Sequence, residues 1–137
     1  METSSVLEDG GTIHVYVSPA NSAALANHTD STDIFVLQLK GEKEWMFCQE
    51  SQEDKVSSFL HNRLGKGGRY DEDELSNLVC HGETLYPGDG LFLPMRVVNS
   101  ARATRKRVSA HITMGFPATT TFNYDFLGFT QTRNMIV

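Results

Sequence analysis

From residue 12 the chain alternates between apolar and polar positions. Ile13, Val15 and Val17 fall on one side of an extended segment and His14, Tyr16 and Ser18 on the other, which predicts a strand. Pro19 ends it, and 19–27 reads as a loop of small residues. Residues 33–40 (Asp-Ile-Phe-Val-Leu-Gln-Leu-Lys) carry the strongest strand signal, rich in branched and aromatic side chains. A Lys40-Gly41-Glu42 turn follows, and 43–48 alternates again with Lys43, Trp45 and Phe47 on one side, so a hairpin is expected. The period then changes. Val56, Phe59, Leu60 and Leu64 stand at helical spacing within 53–64 and predict one amphipathic helix laid over the sheet. Glycines at 65, 67 and 68 break it, and the acidic run 71–74 reads as a solvated loop or a helix start.

Extended structure resumes at His81. Residues 84–86 lead into a Pro87-Gly88-Asp89-Gly90 turn, 91–94 form a short strand and 97–103 another. Arg105-Lys106-Arg107 looks like a solvated hairpin tip, and 108–116 sets Val108, Ala110, Ile112 and Met114 against Ser109, His111 and Thr113. Many short strands with turns between them and one helix imply a mainly β domain, a sandwich or jelly-roll barrel. The chain divides into a polar lead-in at 1–11, a barrel core at 12–116 and a tail at 117–137. With Phe122, Tyr124, Phe126, Leu127 and Phe129, that tail is too aromatic for a free linker.

A length of 137 residues suits one domain. Lys plus Arg number 12 against 17 for Asp plus Glu, a net charge of −5, so direct nucleic-acid binding is not expected. No apolar run approaches the roughly 18 residues of a membrane span, and residues 1–11 carry no apolar stretch of the kind a secretory signal needs. Cys48 and Cys80 lack the spacing of a zinc site and are expected as two reduced thiols in an intracellular protein. The glycines at 65, 67 and 68 are no phosphate loop, because no Gly-Lys-Ser/Thr follows and no strand precedes.

Candidate chemistry sits at His28-Thr29-Asp30. An imidazole and a carboxylate two residues apart at a strand edge project to one side. They supply two-thirds of the facial triad that holds non-haem Fe(II). The segment from His28 through the apolar strand to Gln38, Gly41, Lys43 and Trp45 resembles the metal-binding strand pair of the JmjC-type cupin oxygenases. It is most similar to their ribosomal-oxygenase branch, with its bifunctional lysine demethylases and histidyl-hydroxylases. Residues 85–94 (Leu-Tyr-Pro-Gly-Asp-Gly-Leu-Phe-Leu-Pro) resemble the family's Pro-Gly-Asp-x-Leu-Tyr-Leu-Pro motif. Residues 109–113 resemble its Ser-x-His-x-Thr strand, and 13–17 the strand before the metal loop.

The resemblance implies a double-stranded β-helix with one short helical insertion, complete or open at an edge. It also implies Fe(II)- and 2-oxoglutarate-dependent hydroxylation with O2 as co-substrate. By position His28 and Asp30 match the first two iron ligands, Lys43 the lysine that pairs with the far carboxylate of 2-oxoglutarate, and Tyr16 a tyrosine of the same pocket. Asn99 stands where the family has its third ligand, a histidine; an amide oxygen is a poorer donor than imidazole. His81 lies too early to replace it, and His111 matches a non-ligand histidine. Gly115 stands where that branch often has a small hydroxyl residue. Two functions therefore stand open. One is a protein hydroxylase or demethylase acting on a ribosomal protein or histone, in the nucleus or nucleolus, with the cytoplasm as alternative. The other is a catalytically impaired binding or assembly module, or a truncated copy. A stripped barrel of this size is expected to need a partner, which a second copy could provide, or to be a piece of something longer.

Overall fold

The computed structural model describes residues 2–6, 10–49, 68–76, 78–93, 95, 97–116 and 135–136. The helix expected over 53–64 and the aromatic residues at 122–129 lie outside them. Among the described residues are ten strands, β1 Glu2–Val6, β2 Thr12–Ser18, β3 Ala23–Thr29, β4 Asp33–Lys40, β5 Lys43–Gln49, β6 Val79–Leu85, β7 Gly90–Leu93, β8 Val98–Ala103, β9 Ser109–Phe116 and β10 Met135–Ile136. They form a six-stranded sheet in the order β1-β2-β9-β4-β7-β10 and a four-stranded sheet in the order β3-β8-β5-β6. Strands β2–β9 divide four and four between the sheets, with only β5 and β6 consecutive in one sheet, in the pattern of an eight-stranded jelly roll. All eight are present, so the barrel is not short of a strand. Residues 2–6, read as part of a polar lead-in, pair with β2 as an added edge strand.

Three expectations are corrected. Residues 23–29 are a strand rather than the end of a loop, so His28 belongs to β3. Lys40-Gly41-Glu42 does not close a hairpin, because β4 and β5 lie in different sheets. The turn is a barrel corner. Gly41 has φ +65°, and a Cβ there would run into the carbonyl oxygen of Val108, so only glycine fits. Arg105, Lys106 and Arg107 likewise sit at a corner between β8 and β9, not at a hairpin tip. They are exposed, and Lys106 lies 3.5 Å from Glu42.

Cys48 and Cys80 are not free thiols. They face each other in the β5–β6 register and form a disulfide, one end buried and the other at the surface. A separation of 32 residues gave no hint of this, because it is the strand register that makes them neighbours. The acidic run starts a short helix, α1 Glu72–Leu75. Asp71 accepts from the Glu74 amide at 2.9 Å and donates its own to the Glu74 carboxylate at 2.9 Å, a reciprocal capping box.

The core between the sheets holds Ile34, Val36, Trp45, Leu85, Leu91, Leu93 and Ala101. Burying each large aliphatic side chain contributes about 1.5–3 kcal/mol. Toward β2 and β9 the inward face turns polar. Ser109, His111 and Thr113 are buried, while Ala110, Ile112 and Met114 on the other face are only half-buried. The register places Tyr16 opposite His111 and Ser18 opposite Ser109, so the polar side of β2 also lines the interior. A barrel that turns hydroxyls, imidazoles and an ammonium inward is built around polar contents.

Candidate active site

At one end of the minor sheet three candidate ligands converge. His28 on β3 lies directly opposite Asn99 on β8. The β3 ladder is irregular just before this pair, with register shifts up to His28, and such bulges re-aim side chains. The segment 68–70 runs along the outer edge of β3, with the Tyr70 amide donating to Asn27 at 2.9 Å and Thr29 donating to Gly68 at 3.3 Å. His28 Nδ1 lies 2.8 Å from the Ala26 carbonyl, so it donates there and leaves Nε2 facing Asp30. Nε2 and Asp30 Oδ1 are 3.7 Å apart. Two donors each about 2.1 Å from one ion can be at most about 4.2 Å apart, so one ion can reach both. The His28 pKa is raised, first by its hydrogen bond to the Asp30 carboxylate, against the opposing effect of burial.

Asn99 completes the set with the wrong polarity for a metal. Its Nδ2 donates to Asp30 Oδ2 at 2.8 Å. Its Oδ1 can serve as a ligand only if the amide turns over, which exchanges a donor for an acceptor at the same position. Among the described residues no group of three His, Cys, Asp or Glu side chains is placed to hold a metal. The donors at this site are one imidazole, one carboxylate and one amide. His81 shares the inward face with Phe47 and Asn99 across β6, β5 and β8 but stands two strands from Asn99, against the Phe47 ring. It is no substitute for the third ligand.

The other end of the inward face of β5 holds Lys43. Its side chain is fully buried. Nζ donates to Ser18 Oγ at 3.0 Å and to His111 Nδ1 at 3.0 Å. No carboxylate among the described residues pairs with it, and burial alone brings its pKa down from 10.5 to about 8. His111 is brought down to about 3, first by burial and then by the Lys43 charge, so it is neutral. The Tyr16 ring stacks on His111 at 4.9 Å, and Trp45 meets it edge-on at 5.5 Å. Lys43 and the Asn99 level are four residues apart along β5, about 13 Å. The lysine side chain and a five-carbon dicarboxylate can share that span.

A buried ammonium with only neutral partners calls for an anion. The residues at this end therefore fit the far carboxylate of 2-oxoglutarate. Those at the other end fit a metal less strongly, through two good donors and a reversible amide. Tyr16 reaches the site through His111, and its neighbour His14 stacks on it at 6.0 Å. Sequence reasoning missed the supporting residues. Gln38 donates to the Lys40 and Gly41 carbonyls at 2.8 and 3.2 Å and to Ser109 Oγ at 2.9 Å, pinning the corner that turns Lys43 inward. Beside buried Gly115, the hydroxyls of Thr12 and Thr32 occupy the space that a side chain at 115 would enter.

A profile of the JmjC domain matches residues 4–124. The chain belongs to the JmjC domain family. Similar members include the bifunctional lysine-specific demethylase and histidyl-hydroxylase NO66 of Brugia malayi, 31% identical over 101 residues, which are 74% of this chain and 14% of that protein. The NO66 of Drosophila willistoni is 35% identical over 101 residues, 74% of this chain and 12% of that protein. The chain thus spans about one-seventh of the length of these relatives. Among solved structures, an RmlC-like cupin with a double-stranded β-helix fold from Methanocaldococcus jannaschii superposes with a TM-score of 0.55 at 10% identity, covering 85% of this chain and 81% of that one. Escherichia coli YcfD gives 0.53 at 22% identity, covering 82% and 26%. These likenesses show the double-stranded β-helix fold expected for a JmjC domain. No helix among the described residues is long and apolar enough to cross a membrane.

Proposed function

We propose that this JmjC domain is a Fe(II)- and 2-oxoglutarate-dependent oxygenase that hydroxylates a protein side chain, or demethylates one by the same chemistry. The observation that carries this reading is Lys43, a fully buried cation whose described partners are all neutral. Lys43 would hold the far carboxylate of 2-oxoglutarate. His28, Asp30 and the amide oxygen of Asn99 would hold the metal. Iron and 2-oxoglutarate bound together supply oxygen activation, coupled to decarboxylation of the diacid to succinate. The Ala26 carbonyl keeps the His28 Nδ1 proton in place, so that Nε2 is the atom offered to the metal. Tyr16 packs the wall behind Lys43. The substrate class is a lysyl or histidyl side chain, as the names of the relatives suggest, and the sequence resemblance points to a histone or ribosomal protein in the nucleus or nucleolus as its carrier.

One observation favours a second reading. Asn99 donates to Asp30, so the third position stabilises the carboxylate without any metal. On that reading the domain keeps its dicarboxylate site as a binding module and turns over little. Asn99→His separates the two. For an oxygenase, the unaltered protein binds Fe(II) at micromolar concentrations and consumes 2-oxoglutarate, and the variant raises metal affinity by at least about tenfold while turnover is already present without it. A protein that neither binds nor turns over until Asn99 is replaced would establish the binding-module reading instead.

A further inference from the structure

We propose that His111 is the positioning residue of the anion site: its Nδ1 takes one N–H of the Lys43 ammonium, Ser18 takes a second, and the third is left for a bound carboxylate. The proposal rests on the reading of Lys43 as the carboxylate anchor and adds what aims it. An ammonium has three donors that rotate freely about the last carbon–nitrogen bond. Two acceptors at 3.0 Å, one from β2 and one from β9, fix that rotation. The imidazole accepts at Nδ1, so its proton resides on Nε2, which finds no partner among the described residues. Its plane is set by the Tyr16 ring on one side and the Trp45 edge on the other.

The surroundings of Lys43 leave little else to orient it. From β8 and β6 the residues directly opposite are Ala103 and Leu85. From β2 come Ser18 and, across the imidazole, Tyr16; from β9 comes His111 itself. His111 is thus the one titratable group touching the ammonium among the described residues, and it is neutral. Removing it strands an N–H in the interior, which disfavours the charged form of Lys43 and lets the side chain swing.

The test is calorimetric titration of 2-oxoglutarate into metal-free protein between pH 6 and 10. Variants are His111→Leu, His111→Gln, Ser18→Ala and Lys43→Met, each checked for a cooperative melt. Wild type is expected to bind with an affinity that falls above about pH 8. His111→Leu is expected to weaken binding at pH 7 by tenfold or more and to move the alkaline fall to lower pH. His111→Gln, whose side-chain oxygen can accept, should restore most of both. If the leucine variant does not fold, Ser18→Ala carries the same test through a smaller loss with the same direction of shift. The proposal is overturned if the alkaline limb stays in place in the leucine and serine variants, or if glutamine behaves as leucine does. Lys43→Met binding as well as wild type, or wild type not binding at millimolar 2-oxoglutarate, would instead overturn the reading of Lys43.

Discussion

Replacing Lys43 with methionine should stabilise the empty domain while abolishing its capacity for the diacid. The side chain is fully buried, and its pKa falls from 10.5 to about 8 through burial alone. That difference, at about 1.4 kcal/mol per pH unit, makes the charge cost the folded state about 3 kcal/mol at neutral pH. Methionine matches the length and removes the charge, but it leaves Ser18 and His111 without a donor, at about 1 kcal/mol each where they relax. The net expectation is a gain of about 1 kcal/mol at pH 7. The sign of the pH dependence follows from the lowered pKa. Between pH 8 and 10.5 the unfolded chain keeps the lysine proton while the folded one releases it, so wild-type stability rises with pH through that window and the advantage of the variant closes. Urea unfolding of both proteins from pH 7 to 10 measures it. Adding 2-oxoglutarate at neutral pH should raise the midpoint of wild type alone. A variant less stable than wild type at pH 7, or a gap that does not change with pH, would refute the description of Lys43 as an uncompensated buried charge.

Gly41→Ala should cost about 2–3 kcal/mol in chemical denaturation, because a methyl group at φ +65° meets the Val108 backbone and cannot be accommodated by a rotamer change. Asn99→His should raise Mn(II) affinity, read by electron paramagnetic resonance, by at least about tenfold through exchange of an amide for an imidazole. Breaking the Cys48–Cys80 link with a reductant should lower stability by about 3.7 kcal/mol for a loop of this length, read as a drop in the thermal midpoint that a Cys48→Ser, Cys80→Ser double variant reproduces without reductant. Trp45 is the only tryptophan in the chain and touches His111, so its emission should change on addition of 2-oxoglutarate and stay constant in Lys43→Met.

Strand periodicity carried most of the fold. The branched and aromatic run in 33–40, the alternation in 108–116 and the turn at 87–90 were legible because each depends on neighbours in sequence. What failed depends on partners far along the chain. Whether β4 and β5 form a hairpin or a barrel corner is decided by which strands they pair with, and β9 lies against β4 from 70 residues away. Residues 23–29 carry small side chains and little strand propensity, so it is pairing with β8 that makes them a strand. The same holds for the disulfide. Within the candidate site, motif order singled out His28, Asp30 and Lys43, of which the first two lie 3.7 Å apart and the third is buried. The roles of Gln38, Ser18 and Ser109 could not, since each is a contact between strands. One signal was present and went unread. In both β2 and β9 the polar half of the alternation faces inward, and that inversion marks a barrel with a polar interior.

The most direct measurement is proton NMR of 2-oxoglutarate incubated with the purified domain, Fe(II) and air, following succinate. A JmjC oxygenase with this site should form succinate in excess over protein, with no signal from Lys43→Met and none when iron is withheld. No succinate from the wild-type domain at equimolar protein and 2-oxoglutarate, under conditions where both iron and the diacid are bound, would contradict it.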